Sequence, residues 1–262
     1  MSLPLLQIDA FADEPYTGNP AVVVILDRPR EKAWMQNVAA EMNLSETAFV
    51  EARQDGAWDL RWFTPACEVQ LCGHATLAAG HALLERGDAD GDTVRFETRS
   101  GPLLVRRSVH GLEMQLPADP PRAVEPPPGL ADAIGAPIIQ AGRGMYWLAE
   151  LADGENVEAV RPDLRKMMAV GVGELIITAR GDKWHCDFVS RFFAPGCGID
   201  EDPVTGSAHC TLGPYWARQL GRKTLVGKQI SRRSGTVGVR VEDDAVVLTG
   251  RAVTVFEGQL LG

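Results

Sequence analysis

Apolar and polar residues along this chain fall into runs short enough to name element by element. Residues 5–11, Leu-Leu-Gln-Ile-Asp-Ala-Phe, alternate from Leu6 onward and predict a strand. Thr17-Gly18-Asn19-Pro20 reads as a turn. Residues 21–26, Ala-Val-Val-Val-Ile-Leu, predict a second strand, apolar enough to be buried on both faces. Trp34, Val38 and Met42 have helical spacing over 31–42, and Asn43-Leu44-Ser45 ends that helix. Residues 46–51 and 58–63 predict strands. Residues 73–85 are small and apolar throughout, so the helix they form should be buried on every side. Strands are predicted at 93–98, 103–108 and 112–116, and the Pro-rich stretch 117–128 reads as a linker.

The second half repeats this order. A helix is predicted over 161–170, strands over 174–178 and 184–193, and a second small-residue helix over 205–220. Strands follow at 229–234, 238–241, 246–248 and 253–256. The repeat is visible residue by residue. Laid without a gap at an offset of 193 − 63 = 130, Phe63, Pro65, Cys67 and Val69 fall on Phe193, Pro195, Cys197 and Ile199. Cys72 then falls on Asp202. Glu46-Thr-Ala-Phe-Val matches Glu174-Leu-Ile-Ile-Thr after a two-residue gap. The expected fold is α+β: two similar lobes from an internal duplication, each a β-barrel-like sheet around a central helix.

Composition narrows the class. The chain has 262 residues, 45% hydrophobic and 23% charged, as in ordinary soluble proteins. Its net charge of −9 argues against nucleic acid or an anionic membrane as partner. The five cysteines show no zinc-ligand spacing and read as free thiols in a reducing compartment. The first ten residues lack a basic stretch and turn polar at once, and no apolar run reaches membrane-spanning length. A cytoplasmic location is the expectation.

Candidate chemistry gathers at the two helix starts. A helix N-terminus carries unpaired N–H groups and partial positive charge, and Gly73 and Gly206 let a ligand approach the backbone there. Two facing starts would cradle a carboxylate, with Cys72 and Asp202 on opposite walls if the lobes are related by a pseudo-twofold axis. Each residue has a plainer alternative. Asp202 reads equally as a helix cap, with Pro203 at the first helical position, although Thr205 or Ser207 could cap instead. Cys72 reads as a small buried residue, His74 as a structural hydrogen-bonder, and His209 as packing on its helix. Glu46, opening an apolar strand, is either a surface residue at the strand edge or a buried acid fit for general acid/base work. No dinucleotide or P-loop glycine pattern occurs, no Gly-x-Ser-x-Gly elbow, and no lysine in a pyridoxal-phosphate context. A site without cofactor or metal is expected.

Four stretches together resemble the phenazine-biosynthesis PhzF-like family, within the diaminopimelate-epimerase-like fold. They are Thr17-Gly-Asn-Pro-Ala-Val-Val-Val24, Asn43-Leu-Ser-Glu46-Thr-Ala-Phe-Val50, Phe63-Thr-Pro with Gly73-His74-Ala-Thr, and Glu201-Asp-Pro-Val-Thr-Gly-Ser-Ala208. The resemblance implies an N-terminal lobe of 1–117 with 251–262, a C-terminal lobe of 118–250, a site between them, and a homodimer. It implies an isomerase acting without cofactor or metal on a small anionic substrate, with Glu46 as acid/base. His74 and Asp202 match residues that hold the substrate or aid proton transfer. Asn19, Ser45, Cys72, Gly73, Gly206 and Ser207 match substrate-binding positions. One departure bears on chemistry: epimerases and racemases of this fold use a cysteine from each lobe, whereas here the pair is Cys72 and Asp202. An isomerase is therefore expected first. An epimerase or racemase using Cys72, or a metabolite-binding protein without chemistry, are the alternatives.

Overall fold

The run 21–26 is buried on both faces because two different helices cover it. The computed structural model describes residues 2–261. Its chain divides into two compact units, one comprising the residues up to Gln115 together with those from Thr249 onward, the other Leu116–Leu248. In the first unit β1 (Leu3–Ala10) pairs antiparallel with β2 (Asn19–Leu26), Ala10 opposite Asn19. Helix α1 (Lys32–Met42) crosses over to β3 (Glu46–Ala52), parallel to β2 with Ala21 opposite Glu46. β4 (Trp58–Phe63) returns antiparallel, and β5 (Glu68–Val69) folds back on it. Helix α2 (Gly73–Arg86) then crosses to β6 (Thr93–Thr98), parallel to β4. β7 (Gly101–Ser108) and β8 (Gly111–Pro117) continue as antiparallel neighbours. The last strand of the chain, Ala252–Leu260, pairs with β1.

α1 packs Met35, Val38 and Ala39 on one face of this sheet, against Leu3, Leu5, Val22, Val24, Phe49 and Phe63. α2 lies on the other face, touching β1, β2, β3, β6, β7 and the last strand, and is buried from Gly73 to Gly80 without a break. Such enclosure requires small residues. A Cβ at Gly80 would stand 2.5 Å from Val105 Cγ1.

The second unit repeats the plan. β9 (Arg122–Ala123) is short, and α3 (Leu130–Ile134) follows it. β10 (Gln140–Arg143) and β11 (Trp147–Glu150) form an antiparallel pair. α4 (Gly154–Ala159) and α5 (Leu164–Ala169) lead to β12 (Leu175–Arg180), parallel to β11. β13 (Phe188–Ala194), β14 (Ile199–Asp202) and α6 (Gly206–Leu220) come next. β15 (Thr224–Gln229) is parallel to β13, and β16 (Gly235–Val241) pairs with β15. β17 (Ala245–Gly250) and β18, the last strand already described, complete the chain. A Cβ at Gly213 of α6 would stand 2.7 Å from Val239 Cγ1, the same close approach as Gly80 makes in α2.

Several sequence expectations change. The Pro-rich stretch is not a free linker: it is stitched to the second unit. Pro214 inside α6 has no N–H for the carbonyl of Cys210, and the N–H of Asp119 donates to that carbonyl instead, at 3.0 Å. The Asp119 carboxylate accepts from Thr211 Oγ1 at 2.6 Å and from the N–H of Met145 at 2.9 Å. The helix expected over 161–170 starts only at Leu164, where the Asp163 carboxylate accepts from the N–H of Lys166. The strand expected from Trp184 begins at Phe188, because Asp182–Trp184 forms a 3₁₀ turn and His185 is left-handed. The strand expected over 229–234 instead ends at Gln229. Gln140–Arg143, Trp147–Glu150 and the helices α3 and α4 escaped sequence reading. Among the described residues no helix is long and apolar enough to cross a membrane, and all five cysteines are free thiols.

Gly80→Ala tests the enclosure of α2. Alanine gains about 1 kcal/mol of helix propensity, but overpacking costs about 1–3 kcal/mol. Urea unfolding is expected to show net destabilisation, reduced when Val105→Ala is present. A neutral Gly80→Ala would remove the close approach.

Candidate active site

Each polar cluster lies where a buried helix begins. In the first unit the turn before β2 needs Gly18: its φ is +64°, and a Cβ there would sit 2.2 Å from the carbonyl oxygen of Ala10. That turn delivers Asn19, fully buried, as the first residue of β2. Glu46 is the first residue of β3, and Asn43, left-handed at the C-terminus of α1, sends the chain there. Cys72 occupies the N-cap position of α2 without a side-chain cap hydrogen bond, and Gly73 and His74 follow as its first residues. Asn19, Glu46, Cys72 and His74 therefore converge within one unit. His74 Nε2 stands 3.0 Å from Glu46 Oε2. Asn19 Nδ2 approaches the other ring nitrogen, Nδ1, at 3.1 Å. Cys72 Sγ lies 3.6 Å from Nδ1. Ser45, half-buried, immediately precedes Glu46 in the chain.

Electrostatics sets the protonation of this cluster. Burial disfavours the His74 imidazolium, but the charges and hydrogen bonds of Cys72 and Glu46 outweigh it and raise His74 well above the usual histidine range. Burial and the charge of Glu46 push Cys72 up as well. The Cys72 thiolate is thereby disfavoured. His74 is held toward its protonated form. Asn19 suits either ring state, since one end of a carboxamide donates and the other accepts.

The second unit holds a different set. Asp202 ends β14 and is 7% exposed, and Thr205 Oγ1 donates to its Oδ2. Asp202 is not the helix cap, and Pro203 is not in the helix: Thr205 is the N-cap residue and Gly206 the first helical residue. Ser207 shares a hydrogen bond of 2.9 Å with the Tyr146 hydroxyl, whose pKa burial pushes up to about 12. Sequence reading missed the residue that holds this turn. Gln229, fully buried, accepts from the N–H of Thr205 at 2.9 Å and donates to the carbonyl of Asp202 at 2.8 Å. Its signal was parity: β15 buries Leu225, Gly227 and Gln229 on one face, so a glutamine sits in the apolar register. Arg191 braces the preceding strand, with a bidentate pair to Glu201 at 2.7 and 2.9 Å and a bond to the Val160 carbonyl.

The duplication has a different register from the gapless one. Thr47 pairs with Phe63 and Leu175 with Phe193, so the first strands do match at those residues. Beyond the hairpin, Trp62 pairs with Val69 but Phe192 with Asp202. Asp202 therefore stands in the place of Val69, an offset of 202 − 69 = 133. The helix starts agree: Cys72 matches Thr205 (205 − 72 = 133) and His74 matches Ser207. Cys72 and Asp202 are not equivalent positions. A hairpin longer by one residue on each strand and a one-residue bulge in β14 account for the three extra residues.

A family model described as phenazine biosynthesis-like protein, PhzC-PhzF, matches residues 8–258. An uncharacterized isomerase of Pseudomonas aeruginosa is 46% identical over 261 residues, covering 99% of this chain and 99% of the relative. A crystal structure of a PhzF-family phenazine biosynthesis protein from Enterococcus faecalis matches with a TM-score of 0.96 at 39% identity, covering 100% of both chains. A probable proline racemase from Agrobacterium radiobacter matches with a TM-score of 0.67 at 12% identity, covering 99% of this chain and 93% of the racemase, a likeness of fold alone.

Two outcomes test how the second helix start is held. Gln229→Leu leaves the N–H of Thr205 and the carbonyl of Asp202 without their partner, and a loss of about 2–4 kcal/mol in urea unfolding is expected. The second concerns His209, fully buried, which burial pushes down to about 4 against the hydrogen bond to the Thr205 carbonyl. Between pH 6.5 and 4 only the unfolded chain takes up this proton, so stability is full above the ordinary histidine range and falls as pH drops toward 4. The loss is worth up to about 3 kcal/mol. Urea unfolding at pH 7 and pH 4.5 should show that loss in the wild type and a smaller one in His209→Gln.

Proposed function

The chain belongs to the phenazine biosynthesis-like (PhzC-PhzF) family, and from that premise we propose that it is an isomerase that moves a proton within a small carboxylate-bearing metabolite, using Glu46 as general acid/base and no cofactor. The observation that carries this reading is the Glu46–His74 pair, 3.0 Å apart and shielded from water. In a carboxylate–imidazolium pair the carboxylate is the base at hand. Glu46 takes a proton from a carbon next to a carboxylate or conjugated system, and the bonding electrons move into that system. The protonated acid then returns the proton to another carbon of the same substrate, which shifts the double bond. Cation and backbone N–H groups beside the base stabilise negative charge as it develops: His74 supplies the first, and the start of α2 at Gly73 the second. Asn19 fixes the ring through Nδ1. Ser45 and Cys72 line this cluster as substrate contacts.

Asp202, Gly206 and Ser207 are assigned to holding the substrate. The support for Asp202 is its buried carboxylate, kept in one orientation by Thr205 and by the turn that Gln229 clamps. The epimerase reading, with Cys72 as a base, is less well supported, because burial and the charge of Glu46 both disfavour its thiolate.

Small unsaturated and amino carboxylates incubated with the protein in D₂O test the reaction. A product with a moved double bond and carbon-bound deuterium is expected; inversion at a retained stereocentre would favour epimerisation instead. Glu46→Gln is expected to cost about 10²- to 10⁴-fold or more in turnover with little change in Tm, and to lower the His74 titration followed by NMR. Near-wild-type turnover in that variant would overturn the assignment of Glu46.

A further inference from the structure

One buried acid of the first unit lies outside the Glu46–His74 cluster, yet the chain leads from it to that cluster. Asp9, near the end of β1, is 1% exposed. A carboxylate is costly to bury and persists where hydrogen bonds or charges satisfy it. Strand register rules out direct contact with the site. Successive residues of a strand point to opposite faces. Asp9 shares its parity with Leu3 and Leu5, which pack under α1. Asn19 stands opposite Ala10, and on the other face it reaches His74 at the start of α2. Asp9 and His74 are therefore on opposite sides of the sheet. What Asp9 holds is the backbone between them. Its Oδ2 accepts from the N–H of Tyr16 at 2.7 Å, seven residues along the chain. Tyr16 is left-handed, with φ +73°, and 75% exposed. Residues other than glycine rarely adopt that conformation, and an exposed ring brings little packing to impose it. A hydrogen bond to a carboxylate can. Gly18, two residues on, is left-handed too and so close to the Ala10 carbonyl that no side chain fits. The other end of the turn is tied where the N–H of Ala12 donates to the carbonyl of Arg251 at 3.1 Å. Asn19 follows Gly18 directly and is fully buried, so the turn sets the place of its carboxamide.

The geometry points to Asp9 as a positioning residue for the His74–Glu46 pair, acting through the Tyr16–Gly18 turn and Asn19. The carboxylate fixes the turn, and the turn seats Asn19. Asn19 then holds the imidazole at Nδ1, 3.1 Å away, so that Nε2 faces Glu46 at 3.0 Å. The use of this linkage in proton transfer rests on the isomerase reading, whereas the linkage from Asp9 to the ring does not.

Side-chain nitrogen NMR of His74 through a pH titration of the full chain, with no substrate present, tests the linkage. Asn19→Ala is expected to move the His74 titration by about half a pH unit to one unit, the equivalent of one hydrogen bond. Asp9→Ala should move it in the same direction by a comparable amount. The double variant should shift no further than Asn19→Ala alone, because both changes act through one carboxamide. Asp9→Asn keeps an acceptor for the N–H of Tyr16 and should restore part of the wild-type titration. Tyr16→Gly keeps that N–H, suits the left-handed backbone and should leave His74 unmoved. Should Asp9→Ala fail to fold, Asp9→Ser, whose hydroxyl stops one bond short of the lost oxygens, carries the same expectation. A role confined to stability would lower the urea midpoint of the Asp9 variants and leave the His74 titration where it is, which overturns the proposal. So does an Asp9→Ala shift that adds in full to that of Asn19→Ala, or an Asn19→Ala variant in which His74 does not move. Turnover plays no part in these measurements, so failure of the linkage and failure of the isomerase reading are separately visible.

Discussion

A helix with no polar side must be enclosed by strands, and both units are organised by that constraint. α2 and α6 are rich in Ala, Gly and Thr because larger side chains would not fit the enclosure. At Gly80 and Gly213 the packing leaves no room even for a methyl group. Enclosure also decides where polar chemistry sits. The flanks of such a helix are apolar, so its unpaired N–H groups emerge only at its start. Neither start has a side-chain cap of its own. The polar residues of each unit gather there because the rest of the helix surface excludes them.

Architecture and chemistry follow the duplication to different depths. Strand pairing repeats through most of each unit, including the two parallel pairs bridged by helices. Glu174 precedes β12 as Glu46 opens β3, and it accepts from Cys197 Sγ at 3.6 Å. Yet the partner of Glu46 is His74, whereas the residue that matches His74 in the second unit is Ser207, which meets Tyr146 instead. One step further in, Thr76 Oγ1 donates to the carbonyl of Cys72, and His209 Nδ1 makes the matching bond to the carbonyl of Thr205. The same backbone request is met by a threonine in one copy and a histidine in the other. At the position of His74 and Ser207, the first unit carries an imidazole against a carboxylate and the second a serine against a tyrosine.

What could be read in advance follows from the same physics. The buried helices and the strands flanking them were legible because an all-apolar helix and a strand buried on both faces leave strong composition signals, whereas Glu46, His74 and Asp202 were singled out by the motifs around them and their resemblance to a family. Short pieces such as Gln140–Arg143 and α4 were not, since four to six residues carry too little periodicity and owe their shape to the core they join. The register of the repeat misled for a different reason. Pro65 and Pro195, Cys67 and Cys197 align without a gap, while the bulge in β14 is invisible until Phe192 is seen opposite Asp202. Gln229 was overlooked because one glutamine in a short strand resembles an ordinary surface residue until its parity is counted.

Pro214 has a consequence beyond α6. A helix interior normally consumes its own carbonyls, leaving nothing for another segment to hold. By withholding one N–H, Pro214 leaves the carbonyl of Cys210 available, and Asp119 takes it. The stretch that looks most like a hinge between the halves of the chain is thereby a fastening of the second one. Modularity in this protein has its seam before residue 116, not among the prolines. A chain divided within that stretch would carry away the donor that completes its own central helix.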